Sequence, residues 1–316
     1  DLPRLILYYQ TTHDSSGRPI SMLPLINKQR IALTHLIVGA LHVNANNTIH
    51  LNDFPPQHPI FHTLWNETRI LQSAGIKVLA MVGGAAPGSF ARSTLDAPDA
   101  ATFEASYALL RDTLAAHGLD GVDIDVEEPM TQRGIARLVE RLHADFGRGF
   151  AVTLAPVATA MVGLGRGWGS NLSGFDYEAL DRRVGSGIGW YNVQFYNGFG
   201  SMATTAVFDR IVGEGGWDPR RIVVGQLTSP ENGGGGFVRP ERLEGTVRVL
   251  RKKYGEIGGV VGWEYFNGVP GGLRRPWEWA EVMTGILRPG RRPTLRITEE
   301  LAESLSEAWV ESAVAA

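Results

Sequence analysis

The sequence predicts an α/β protein built as one (β/α)8 barrel, and three observations carry that prediction. Eight short β-rich runs recur along the chain, starting at residues 4, 33, 76, 121, 150, 190, 221 and 258. Their start-to-start spacings of 29 to 45 residues suit strand–helix units joined by right-handed crossovers. No Gly-x-Gly-x-x-Gly turn follows the first run, which argues against a doubly wound open sheet.

The runs read, in order, RLILYY, LTHLIVGALHV, IKVLAMVGG, GVDIDVEE, FAVTLAPVA, WYNVQFYN, RIVVGQLTS and GGVVGWEYFN. Each is rich in β-branched and aromatic residues, as strands buried on both faces are. Between them, apolar residues at helical spacing predict helices over 103–116, 135–146 and 239–254. Only 32 residues separate Leu227 from Val260, filled by a glycine-rich loop and one helix. That leaves no room for a small α+β domain between the last two strands, so the groove above them should be shallow and open. The barrel is expected to span 1–287. A Pro/Arg-rich linker follows, then a C-terminal helix capped by Thr298, with Leu301, Leu305, Ala308 and Trp309 on one face against the barrel bottom.

Composition bounds the function. The chain has 316 residues, 43% hydrophobic and 20% charged, with a formal net charge of −3, so it shows no basic footprint for nucleic acid. No apolar run is long enough to span a membrane. Cysteine is absent, which excludes disulfide frameworks and thiolate metal sites and fits a reducing compartment. A cytoplasmic monomer is the expectation, or a secreted one if a leader has been removed.

The fourth run poses the chemical question. DGVDIDVEEP, residues 120–129, alternates Asp123, Asp125 and Glu127 with Val122, Ile124 and Val126. Side chains two apart on a strand share a face, about 6–7 Å apart at Cα. The three acids therefore line one wall, while Asp120, of opposite parity, faces outward. Unpaired buried carboxylates are costly, so the wall is a site or a salt-bridge ladder. No basic residue recurs in the predicted strand cores to pair with it. A Mg²⁺ site made of carboxylates alone is a further alternative. Stacked like charges share protons, which raises some of their pKa values. A protonated Glu at the strand's C-terminal end, where such barrels place their chemistry, suits a general acid acting on a glycosidic oxygen.

The pattern D-x-x-D-x-D-x-E, filled by Asp120, Asp123, Asp125 and Glu127, resembles the signature of glycoside hydrolase family 18. MVGG on the third strand is similar to the family's S-x-G-G, with Met81 in place of Ser. TLAP on the fifth strand also matches the family, and QFYN on the sixth resembles its plant-type branch. GWEYFN on the eighth supplies the family's Trp, in a context most like fungal chitinase-like members. The resemblance implies hydrolysis of β-1,4-linked N-acetylglucosamine, in chitin or its oligosaccharides, with the substrate's own acetamido group as nucleophile. Cleavage of the chitobiose core of N-glycans is the alternative, and a non-catalytic lectin a second. It implies Glu127 as the acid, Asp125 as orienter of the acetamido group, Asp123 as its proton-sharing partner and Tyr196 as a donor to the acetamido oxygen. Tyr8, Gly83, Gly84, Gln194, Asn197 and Trp263 would bind the sugar, with Trp263 as its floor. No metal and no cofactor are implied. The sequence departs from the family at Ala40, where many members carry Phe, and at Gln194 and Asn197, where the bacterial branch has Met and Asp.

Overall fold

A computed structural model describes residues 2–163, 170–290, 293 and 296–314, with the side chains of the last helix described as far as 307. Nine strands form one sheet: β1 (Arg4–Tyr9), β2 (His35–Asn44), β3 (Thr48–Leu51), β4 (Lys77–Gly84), β5 (Gly121–Val126), β6 (Ala151–Leu154), β7 (Tyr191–Gln194), β8 (Ile222–Leu227) and β9 (Gly259–Trp263). All but β3 pair in parallel in the order β1-β9-β8-β7-β6-β5-β4-β2, and β1 pairs with β2 to close an eight-stranded barrel. The expected architecture is present. β3, which was not expected, folds back antiparallel on the long second strand.

Helices α1 (Pro24–Asn27), α2 (His62–Ser73), α3 (Ala100–Ala116), α4 (Gln132–Phe146), α5 (Tyr177–Val184), α6 (Ala206–Gly213), α7 (Pro240–Tyr254) and α8 (Glu278–Leu287) intervene between strands or follow the last of them. The expected helices at 103–116 and 135–146 each start three residues earlier. There Asp99 accepts a bond from the Thr102 N–H and Thr131 one from the Gly134 N–H, satisfying donors of the first turn. α7 begins one residue later than expected, with Pro240 in its first turn.

Strand parity divides the molecule into two apolar compartments. Outward residues such as Leu7, Val122, Ile124, Val152, Val193 and Val224 join helix residues in the large core between sheet and helices. Inward residues Ile6, Tyr8, Ile37, Leu79, Met81, Trp190, Val223 and Val261 form a smaller cluster inside the barrel. Trp190 closes the N-terminal mouth, with the Arg4 guanidinium 4.3 Å over its ring and His35 edge-on at 4.8 Å. Burial, with Arg4 nearby, lowers the pKa of His35 to about 3, so this imidazole is neutral.

The C-terminal helix α9 (Glu299–Val314) packs against α2. Ala302 is fully buried and Leu305 partly so, whereas Leu301 is half exposed. Leu305 thus keeps its expected place, while Ala302 takes the buried position expected of Leu301. Ala308 and Trp309 lie outside the described side chains, and residues 291 and 292 of the linker outside the described residues.

Candidate active site

The inward upper half of β5 is where the apolar filling gives way to polar groups. Val122, Ile124 and Val126 satisfy the outer core, so β5 can carry acids on its other face without losing its packing. Asp123 is fully buried and Asp125 nearly so, while Glu127, just past the strand end, is half-buried. Asp120 points the other way. Its carboxylate meets the Lys77 ammonium at 2.8 Å and accepts from the Gln72 amide and the Val78 N–H, which ties β5 to β4 and α2.

Asp123 is held by three neutral donors from three other strands. The Tyr8 hydroxyl donates to Oδ2 at 2.5 Å; Thr153 Oγ1 and Asn192 Nδ2 donate to Oδ1 at 2.5 and 2.9 Å. Burial raises the Asp123 pKa, and these bonds counteract that rise. Asp125 has less support and is pushed well above the usual carboxylate range, by burial first and then by Glu127 and Asp123. The raised pKa of Asp125 favours its protonated form more than an isolated carboxyl would, since its two neighbours on the wall are also acids. Among the described residues no cation forms an ion pair with any of the three acids, so the wall is not a salt-bridge ladder. Groups of three or more metal-ligating side chains are also lacking among the described residues.

Gln194, at the end of β7, lies over these acids. Its Nε2 is 3.3 Å from Asp125 Oδ1, 3.1 Å from Glu127 Oε1 and 3.0 Å from the Ala155 carbonyl oxygen. One amide thus fixes the position of both upper carboxylates. Tyr196 is buried beside them. Burial, then Asp125, Glu127 and Asp123, raise its pKa so far that it stays a neutral phenol and a donor. Tyr8 is kept neutral in the same way, by burial and then by Asp123 and Asp125. Trp263 ends β9 half-buried, with the Tyr8 ring edge-on at 5.2 Å, so its outer face borders the groove.

The two glycines of MVGG separate by role. Both have positive φ, near +96° and +97°. A Cβ on Gly83 would fall 2.3 Å from the Asp125 carbonyl oxygen and 2.3 Å from the Phe90 ring, so Gly83 serves close backbone approach. A Cβ on Gly84 would meet Met81 Cε at 2.7 Å and lie 3.9 Å from Asp125 Oδ2, so Gly84 faces the acids. Met81 stands in register with Asp123 on the neighbouring strand. Asn197 is not gathered with the acids. It is exposed, at a φ of +54°, and its Oδ1 accepts from the Gly234 N–H at 2.8 Å, fastening the glycine-rich loop after β8.

Thr153, Asn192, Glu128 and Glu264 were not anticipated. The first two had a readable signal, since each is a polar residue at inward parity within an apolar run. Glu128 accepts from the Gly88 and Phe90 N–H groups and fastens the loop after β4. Glu264 likewise accepts from the loop after β1.

A wall of three acids at the C-terminal end of a closed barrel is the arrangement that the sequence signature implies. The sequence matches the family model described as Glycosyl hydrolases family 18 over residues 4–219. The chain belongs to glycosyl hydrolase family 18. This family 18 chain is a glycosidase, and its substrate is a carbohydrate. It is 58% identical to a fungal endo-beta-N-acetylglucosaminidase of family 18, covering 92% of this chain and 100% of that one, at a TM-score of 0.89. It is 45% identical to a chitinase from Aspergillus fumigatus, covering 89% of this chain and 98% of that one, at a TM-score of 0.79. A family 18 chitinase from Pseudoalteromonas aurantia, at 18% identity and a TM-score of 0.68, shares the fold. No curated protein sequence matches the chain.

Proposed function

We propose that this glycosidase cleaves the β-1,4 bond between two N-acetylglucosamine residues, acting within the chain and through the substrate's own acetamido group. The observation that supports it best is the wall of Asp123, Asp125 and Glu127 on one face of β5, with the Gln194 amide reaching both upper members. Glu127, the most accessible of the three, protonates the leaving oxygen. The acetamido carbonyl oxygen of the same sugar attacks its anomeric carbon, the bond to the leaving oxygen breaks, and an oxazolinium ion forms. Glu127, now a carboxylate, takes a proton from water as that water opens the ion from the opposite face. Family 18 hydrolysis departs in this way from the two-carboxylate scheme. Two successive inversions leave a β-anomeric product.

Asp125 accepts the acetamido N–H and counters the positive charge of the ion. Asp123 shares the proton below it, and the Tyr196 phenol donates to the acetamido oxygen. Trp263 offers its face to the C–H surface of the sugar. Gly84 leaves the space beside Asp125 open, and Tyr8 keeps Asp123 in place.

Between possible substrates, the endo-β-N-acetylglucosaminidase reading, with the chitobiose core of N-glycans as its target, is favoured by the 58% identity to an enzyme of that description. The short connection from β8 to β9 also suits it, since an open groove admits a glycan attached to a protein. Chitin chains are the second reading, supported by the Aspergillus fumigatus chitinase. Incubation with a high-mannose glycopeptide and with chitotetraose, read by mass, separates the two. Release of a glycan that leaves one N-acetylglucosamine on the peptide supports the first; turnover of chitotetraose alone supports the second. An α-anomeric initial product, seen by NMR, would sink the mechanism for both.

A further inference from the structure

The loop after β1 stands as a ridge beside the acids. It leaves the strand at Gln10 and turns through Asp14, whose Oδ1 accepts from the Ser16 and Arg18 N–H groups. It returns at Pro19, which bridges to His13. One side of the ridge walls a cleft of about 760 Å³, lined by Gln10, Thr11, His13, His42, His50 and Asn52 together with apolar residues. The inner end of the cleft approaches the barrel filling, since Gln10 follows Tyr8 by two residues and its Cβ lies 3.7 Å from an ideal Cβ on Gly39, which would itself meet Met81 Sδ at 3.3 Å.

The base of this ridge is clamped from two directions. From β9's end, the Glu264 carboxylate accepts from the Gln10 N–H at 3.0 Å, the Thr11 N–H at 2.7 Å and the Thr11 hydroxyl at 2.9 Å. From the β2–β3 side, Asn52 Nδ2 donates to the Gln10 carbonyl oxygen at 2.9 Å, while its Oδ1 accepts from the Ala40 N–H at 3.1 Å. Glu264 is 6% exposed, and among the described residues it pairs with no cation. Burial raises its pKa, and the bonds from Thr11 and Gln10 lower it again. A buried carboxylate is costly unless its lone pairs are used. Here they are used entirely on one loop, by the residue adjacent to Trp263.

We infer that Glu264 is a positioning residue for oligosaccharide recognition. It fixes the cleft wall formed by Gln10, Thr11 and His13, and so sets the grip on sugar units beyond the one at the acids. This rests on the second of the two readings above, that the groove takes chains of N-acetylglucosamine. Glu264 touches no reacting atom; it acts through the loop. A glutamine there would present N–H groups to N–H donors and would satisfy only part of the clamp.

The test uses Glu264→Gln, Glu264→Ala and Asn52→Ala, each combined with Glu127→Gln so that bound sugar is not consumed. Calorimetry with chitopentaose and with chitobiose reads the grip, and amide hydrogen exchange over residues 9–20 reads the loop. Loss of charge-assisted bonds should weaken chitopentaose roughly tenfold or more, and chitobiose less than about twofold. Exchange should quicken over 9–20 and stay unchanged at β5. Equal weakening of both sugars, or unchanged loop exchange, would overturn the inference. If Glu264→Ala does not fold, Glu264→Gln and Asn52→Ala give the same two readings. If the protein with Glu264 intact binds no chitopentaose, the oligomer reading falls and the inference about grip falls with it; quickened exchange over 9–20 would then show only that Glu264 holds the loop.

Discussion

Replacing Glu127 by Gln separates binding from chemistry more cleanly than any other single change in this site. Glu127 is half-buried, and Gln194 Nε2 approaches its Oε1 at 3.1 Å. A glutamine keeps the length and volume, and its own Oε1 can still accept that bond, so the groove retains its shape. What is lost is a proton that can be given to a leaving oxygen. Removal of a general acid costs roughly 10²–10⁴-fold in rate, which is about 2.7–5.4 kcal/mol at 1.36 kcal/mol per tenfold. Sugar affinity should change little, because the missing interaction belongs to the transition state. A second effect follows from the coupling. Glu127 is, after burial, the largest cause of the raised Asp125 pKa, so the substitution should bring that pKa down. The assay is single-turnover hydrolysis of a chitooligosaccharide, with calorimetric binding of the same sugar. A variant that kept more than about a tenth of the rate would show that Glu127 is not the acid.

Three further outcomes are expected. Tyr8→Phe removes the 2.5 Å donor to Asp123, so the fold should lose about 1.5–3 kcal/mol in urea unfolding and the Asp123 pKa should rise further; unchanged stability would show that the bond contributes nothing. The Asp125 pKa is raised on folding, so its contribution is fully favourable below about 3.9, the unfolded value, and is lost as pH climbs through the folded one. Asp125→Asn should therefore match the wild type in stability near pH 3 and exceed it at pH 7 while being severely impaired in turnover; equal stability at both pH values would refute the proton-sharing wall. Gly83→Ala should destabilise by several kcal/mol, since its Cβ meets backbone and a packed ring, and Gly84→Ala by less, since the end of Met81 can yield, as thermal melts of the two will show.

The alternation in GVDIDV was legible because a strand has a single side-chain period, so parity alone assigns each residue to the inner or the outer compartment. The eight runs were legible for a related reason: parallel strands buried on both faces leave apolar runs that helices of this length do not. Hydrogen bonds between neighbouring strands were not legible. Thr153 and Asn192 reach Asp123 only because the stagger of the barrel brings β6 and β7 to that height, and stagger is a property of closure that no local window contains. The local placement of Asn197 was not legible either. It lies in a run that reads as strand, but β7 ends at Gln194, and beyond it the backbone turns so that the side chain fastens a loop. In the first turns of α9 Ala302 is buried in place of Leu301, because the surface it meets is α2, which the sequence of α9 does not encode.

The closed lower end of the barrel governs how the acids exchange protons. Trp190, covered by Arg4 and His35, stops the N-terminal mouth, and Ile6, Ile37, Leu79, Val223 and Val261 fill the space above it. Asp123 therefore sits above a packed apolar floor, with Asp125 and Glu127 on its side toward the C-terminal mouth. On the proposed mechanism, a sugar resting on Trp263 would cover the acids from above while the packed floor closes them from below. The proton given to the departing sugar would then have to be recovered from the water that completes the reaction, so that each turnover would close its own proton cycle.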